Sequence, residues 1–268
     1  MRAADRFVIE ELMRPTNEST LTNRFQLLIT GYAKLCSKET INLGNVLSRL
    51  LPGFLSERAK WVESQRKSAD EFNFFQVMGI ETKEVAHSTL LAWLLDPKIE
   101  RGTHAQGKLG FRLFLEEFAK ELQNDGGDIT DYADADFWVS CEVKGHESRV
   151  DIEIASQSRF LIHIENKFFS AEGTDQTNRE WRDLCTRRNQ LGVPEACCHP
   201  IFLTLDSSPA ENKNFRSVGW NRVARILEKF AEQALPLEVK LFARHYAKAI
   251  RKFSILEPDE MEATDGDI

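Results

Sequence analysis

Between Arg149 and Lys167 the chain reads RVDIEIASQSRFLIHIENK, a two-residue alternation that leaves the backbone few choices. Residues two apart on a strand point to the same face. In the second half Phe160, Ile162 and Ile164 share an apolar face, so Leu161, His163, Glu165 and Lys167 share the other. In the first half Val150, Ile152 and Ile154 are apolar, Arg149, Asp151, Glu153 and Ala155 lie opposite, and Ser156 to Ser158 supply polar turn residues. The pattern predicts a β-hairpin. Where its two polar faces coincide, Asp151 and Glu165 converge. Two such carboxylates repel each other and are expensive to desolvate, and a Mg²⁺ or Mn²⁺ ion bridging them resolves both problems. Lys167 then stands beside the ion, placed to orient or deprotonate an attacking water and to stabilise charge on a phosphate. The spacing therefore points to metal-dependent phosphodiester chemistry, although three charged residues on a hairpin also occur as solvated ion pairs.

A longer stretch carries a second signal. Residues 72–115 read FNFFQVMGIETKEVAHSTLLAWLLDPKIERGTHAQGKLGFRLFL, with Glu84, His87 and Ser88 ahead of an apolar run Leu90 to Leu95 that ends in Asp96 and Pro97. After it come Asp151, then Glu165, Asn166 and Lys167, then Gln176. In this order the blocks, spanning about residues 72–205, resemble a branch of the PD-(D/E)XK nuclease superfamily. The resemblance implies an α/β fold with a restriction-endonuclease-like core, a mixed β-sheet flanked by helices in the order αβββαβ. It implies a Mg²⁺-dependent (or Mn²⁺-dependent) nuclease, acting on DNA more than RNA, in which Asp151, Glu165 and the Asn166 backbone carbonyl ligate the metal. Lys167 would position the water for in-line attack, with the 3′-oxygen leaving and a 5′-phosphate remaining, and Gln176 would hold substrate or the water network. Glu84 would approach the ion through a water or as a ligand of a second ion. Its alternative is a helix-start glutamate stabilised by the dipole, with His87 and Ser88 bonding to the neighbouring loop. Three positions depart from the pattern: Val150 replaces the motif's proline, Glu180 stands where an aromatic residue often follows the glutamine by four, and His163 occupies the polar face. His163 is read as a packed, hydrogen-bonded histidine rather than a catalytic one.

Periodicity sets the organisation. Residues 1–70 read as helical, with Leu21, Phe25, Leu28 and Ile29 on one face; residues 71–256 form the nuclease-like domain; and 257–268, EPDEMEATDGDI, form an acidic tail expected to be disordered. Within the domain, helices are expected at about 80–95, 111–123, 174–190, 220–233 and 237–253, and strands at about 136–144, 149–155, 160–166 and 200–205. The formal charge is −7, yet six of the acids lie in the tail, which leaves the body nearly neutral and lets a local basic stripe dominate its surroundings. Lys240, Arg244, Lys248 and Lys252 recur every four residues along one helical face as candidate nucleic-acid contacts, preceded by Arg222, Arg225 and Lys229. A solvated face is the plainer reading of such a stripe.

Several classes are set aside. The run GTHAQGKL at 102–109 lacks the Ser or Thr of a nucleotide-binding loop and follows a helix rather than a strand. Five cysteines without a C-x-x-C pair indicate neither a disulfide framework nor a zinc ribbon. With no apolar run of membrane-spanning length and no signal-like segment, the expected compartment is cytoplasmic. The expected partners are nucleic acid, with DNA favoured, and a protein partner or second copy through the N-terminal helices. The rival reading is a catalytically silent binding module that retains the nuclease fold, and a third is a nuclease active only inside a larger assembly.

Overall fold

The alternating stretch becomes the middle of a five-stranded sheet in the computed structural model, which describes residues 18–35, 42–69, 72–123 and 129–254. In chain order the strands are β1 (Trp138–Lys144), β2 (Arg149–Ser156), β3 (Phe160–Lys167), β4 (Cys198–Thr204) and β5 (Arg216–Gly219). β1, β2 and β3 pair antiparallel, and β4 and β5 continue the sheet in parallel with β3, so the spatial order equals the chain order. β5 extends the expected αβββαβ core. At four residues it is too short to display a period.

Among the described residues the α-helices are α1 (Glu18–Leu35), α2 (Asn42–Ser68), α3 (Phe74–Val77), α4 (Glu84–Leu95), α5 (Leu109–Glu117), α6 (Ala119–Leu122), α7 (Gln176–Leu191), α8 (Trp220–Gln233) and α9 (Leu237–Arg251). The single helix expected at 111–123 is two, because Phe118 leaves the helical region at φ −102°, ψ 20°. The chain divides into two compact units, Met1–Phe72 and Asn73–Ile268. In the first, Phe25 of α1 and Phe54 of α2 stack at 5.7 Å. Residues 1–17 and 36–41, expected to be helical, and the tail 257–268 lie outside the described residues.

In the second unit the sheet separates two cores of unequal size. Ile152, Ile154, Ile162 and Ile164, joined by Ile201, Leu203 and Val218, pack against α4, α5, α8 and α9. Ala155, Leu161 and Cys198 meet Leu184 and Leu191 of α7 in a smaller cluster on the other side. The larger core buries several aromatic rings, which at about 25 cal/mol per Å² of apolar surface dominates the stabilisation. Close approach of α5 to α4 depends on Gly110, where a Cβ would fall 1.9 Å from the Leu94 carbonyl oxygen. With the apolar residues of β2 and β3 committed to the larger core, their odd-numbered residues face α7. That geometry makes the polar face of the hairpin a cleft rather than a solvated surface. Among the described residues no helix is long and apolar enough to cross a membrane.

Candidate functional site

The β2–β3 register fixes what the polar face brings together. Ile152 pairs with Ile164 and Glu153 with His163. One step further, Asp151 lies opposite Glu165, and antiparallel partners share a face. The Asn166 N–H donates to Asp151 Oδ2 at 2.8 Å, which ties the Asp151 carboxylate to β3. Lys167 Nζ lies 2.7 Å from Glu165 Oε1 and 3.8 Å from Glu84 Oε1, so the amine stands among the acids. Asp151, Glu165, Lys167 and Glu84 are thus collected at one end of the hairpin.

Two helices complete the arrangement. At the start of α4, Glu84 accepts from the Phe168 N–H at 3.1 Å and from the Ser170 hydroxyl, which fastens the segment leaving β3. At the start of α7, the Gln176 side-chain amide donates to Glu165 Oε1 and, at 2.9 Å, to Glu180 Oε1, while its carbonyl accepts from the Gly173 N–H at 3.0 Å. Asn166 points the other way. Its Nδ2 donates to the Glu84 carbonyl at 3.1 Å and to Ser88 Oγ at 3.0 Å, and its Oδ1 accepts from Trp220 Nε1 at 3.0 Å. His87 stacks on Phe168 at 3.7 Å and bonds Tyr246 and the Glu81 carbonyl. His87 is held by Tyr246 and the loop carbonyl of Glu81, Ser88 bonds its own helix and Asn166 of β3 rather than a loop, and Glu84 reaches Lys167.

Burial governs the electrostatics. Desolvation pushes the Asp151 carboxyl up to about 6 against the pull of the Asn166 N–H and Lys167. Desolvation, reinforced by Asp151 and Glu180, raises Glu165, and Glu180 is raised by burial as well. Lys167 moves upward too: burial opposes its charge, but Glu165, Glu84 and Asp151 outweigh it. The lysine is accordingly an ammonium throughout the neutral range, suited to stabilising negative charge and not to removing a proton.

A hard divalent cation fits these groups. Glu165 Oε2 and Glu180 Oε2 are buried without a hydrogen-bond partner, a costly state that an ion or its water relieves. Among the described residues no three His, Cys, Asp or Glu side chains form a ready-made cage. A pair of carboxylates suits Mg²⁺, which keeps several waters, better than it suits ions that want a full set of protein ligands. Beside Lys167 a cleft of about 580 Å³ opens between Phe169 and Asp206, with Phe253 at its edge.

Other expected contacts fall elsewhere. Lys240, Arg244, Lys248 and Lys252 lie on or just past α9; the last three are exposed, Lys240 is half-buried, and Lys252 pairs with Glu81 at 3.0 Å. Arg222, Arg225 and Lys229 require a correction. They stitch α8 to α5 and α6, with Arg222 2.7 Å from Glu121 and Arg225 and Lys229 at 2.8 and 3.4 Å from Glu117; the two arginines are partly buried in these pairs, while Lys229 stays exposed. His163 is buried and bonds Glu153 at 3.1 Å, which Arg187 also grips at 2.9 Å. Two neighbours were not anticipated. Glu180 follows Gln176 by one helical turn, a spacing that places both on one face. Glu142 sits on β1 between the pairs Cys141↔Ile152 and Val143↔Val150, opposite Asp151, at a strained φ of +56° and 2.6 Å from Arg149.

The family model of the PD-(D/E)XK nuclease superfamily matches residues 72–254, well over half of the chain, and the chain belongs to that superfamily. No curated protein and no solved structure matches it.

Proposed function

We propose that this member of the PD-(D/E)XK superfamily is a phosphodiester hydrolase acting on DNA rather than RNA, with Mg²⁺ or Mn²⁺ held by Asp151, Glu165 and the Asn166 backbone carbonyl. One observation carries the reading: Asp151 and Glu165 are brought opposite each other, both carboxyls are raised by burial, and Glu165 keeps an oxygen with no partner beside the Lys167 ammonium. An arrangement so expensive without a cation is poorly explained by structural need alone. When bound, the ion lowers the pKa of the attacking water and neutralises charge on the phosphate.

The protein's own groups divide the remaining work. Lys167, charged and anchored between Glu165 and Glu84, offers its ammonium to the phosphate oxygen that gains charge during in-line attack. Gln176 fixes the rotamer of Glu165. Glu84 holds the Phe168–Ser170 segment against the site and so shapes the floor of the cleft. The 3′-oxygen leaves and a 5′-phosphate remains. The exposed Arg244, Lys248 and Lys252 serve as phosphate contacts, a role supported by Phe253, which follows this stripe directly and borders the cleft beside Lys167.

The test is cleavage of plasmid, linear and single-stranded DNA and of RNA, with Mg²⁺ or Mn²⁺ and with EDTA, by the wild type and by Glu165→Ala. Metal-dependent cutting that the variant loses supports the reading. If neither cuts, and both bind DNA with a steep salt dependence, the chain is a binding module on a nuclease fold. Apolar side chains exposed on the N-terminal unit, Leu27 and Ile29 among them, favour a protein partner or second copy there. A role in bacterial or phage-related defence or repair is the biological setting proposed.

A further inference from the structure

Glu180 is a buried acid that the fold does not need as an acid. It is 2% exposed, no basic side chain among the described residues forms an ion pair with it, and Oε2 has no hydrogen-bond partner. Its other oxygen accepts one bond, from Gln176 Nε2 at 2.9 Å, which a neutral amide oxygen would accept equally well. The same Gln176 nitrogen donates to Glu165 Oε1, so the two carboxylates flank one amide, each with a second oxygen buried and unpaired. Packing does not account for this. Buried charges are normally compensated, and a pair of like charges on facing elements is costly where only one of them has an ion-pair partner. Lys167 compensates Glu165 at 2.7 Å but does not reach Glu180 within ion-pair distance.

We propose that Glu180 is a third acidic determinant of cation affinity at the Asp151–Glu165 site, a positioning residue that acts on the ion through its water and through the Gln176–Glu165 contact rather than as a direct ligand. This inference rests on the metal site proposed above. It follows from an acid buried without an ion-pair partner whose contacts run to a proposed ligand, through the amide it shares with Glu165 and through the Glu165 carboxyl itself. The occupant is a hydrated hard divalent cation, because carboxylate oxygens at one remove hold water on such an ion while a softer metal would call for nitrogen or sulfur.

The experiment is calorimetric titration of Mn²⁺ into the full chain, metal-free at the start, for the wild type, Glu180→Gln, Glu180→Asp and Asp151→Asn, with thermal melts in EDTA alongside. Glu180→Gln keeps the shape and the bond from Gln176 and should weaken Mn²⁺ roughly ten- to a hundredfold. Glu180→Asp, which keeps the charge, should stay within about threefold of the wild type on the same scale. Both variants should melt in EDTA no lower than the wild type, which a merely structural role would not allow. An affinity for Glu180→Gln within about twofold of the wild type, while Asp151→Asn loses the ion, overturns the proposal and leaves the site standing. If Asp151→Asn also binds unchanged, the metal site itself is refuted, and this inference with it.

Discussion

Replacing Asp151 by asparagine should make the metal-free protein more stable while removing its affinity for the ion. The carboxyl is raised from 3.8 to about 6 by burial. At about 1.4 kcal/mol per pH unit, that displacement corresponds to about 3 kcal/mol of unfavourable ionisation in the folded state. The sign is fixed by which state holds the proton: between pH 3.8 and about 6 the folded protein keeps it and the unfolded chain has released it, so raising pH across that window destabilises the fold. Above the window the full cost persists. Below it the cost vanishes. An asparagine carries no charge, and its side-chain oxygen can still accept from the Asn166 N–H. Asp151→Asn in EDTA should therefore gain up to about 3 kcal/mol at pH 7.5, roughly 6 to 12 °C in melting temperature for a domain of this size, and very little near pH 4. Denaturant unfolding at both pH values measures the difference. A variant less stable than the wild type at pH 7.5, or a gain equal at the two values, would refute the claim that buried charge at Asp151 destabilises the protein in EDTA.

Further outcomes follow from other contacts. Lys167→Met should leave the fold intact and lower turnover by roughly a hundredfold or more, with Mn²⁺ affinity equal or higher by calorimetry, since an ammonium 2.7 Å from Glu165 is removed. Burial alone would raise Glu153, yet the bonds from His163 and Arg187 hold it at about 2 against an ordinary 4.5. Its contribution, about 3 kcal/mol at most, is present above pH 4.5 and lost as pH falls toward 2, so the stability gap between wild type and Glu153→Gln should narrow between pH 5.5 and 3. Gly110→Ala should destabilise by about 1 to 3 kcal/mol in thermal or denaturant unfolding, because the new methyl would meet the Leu94 carbonyl at 1.9 Å; an unchanged midpoint would show that α5 and α4 can separate without loss.

What could be read from the sequence depended on range. The hairpin was legible because a strand's period of two is written in consecutive residues, while the pairing register that brings Asp151 and Glu165 to one side came from the structure. Helices with long apolar faces, α8 and α9 among them, were legible for the same reason. Arg222 and Arg225 were misread as part of a surface stripe because Glu117 and Glu121 arrive from helices about a hundred residues earlier, and no local pattern announces such a partner. β5 is too short to show alternation, and Phe118 breaks a helix through a backbone turn that apolar spacing does not encode. Glu180 was visible as a departure from the usual aromatic residue. Its meaning depended on how α7 crosses the sheet, which periodicity does not specify.

β3 carries Glu165 and Lys167 toward the cleft and Asn166 toward α4 and Trp220, and this division constrains how the protein can change over time. Gaining or losing a single residue within the strand would turn the acid and the amine into hydrocarbon and bring isoleucines to the face that Asp151 and Gln176 share with them. The connections around the ribbon can therefore lengthen without disturbing the site, whereas the count of residues along it cannot change.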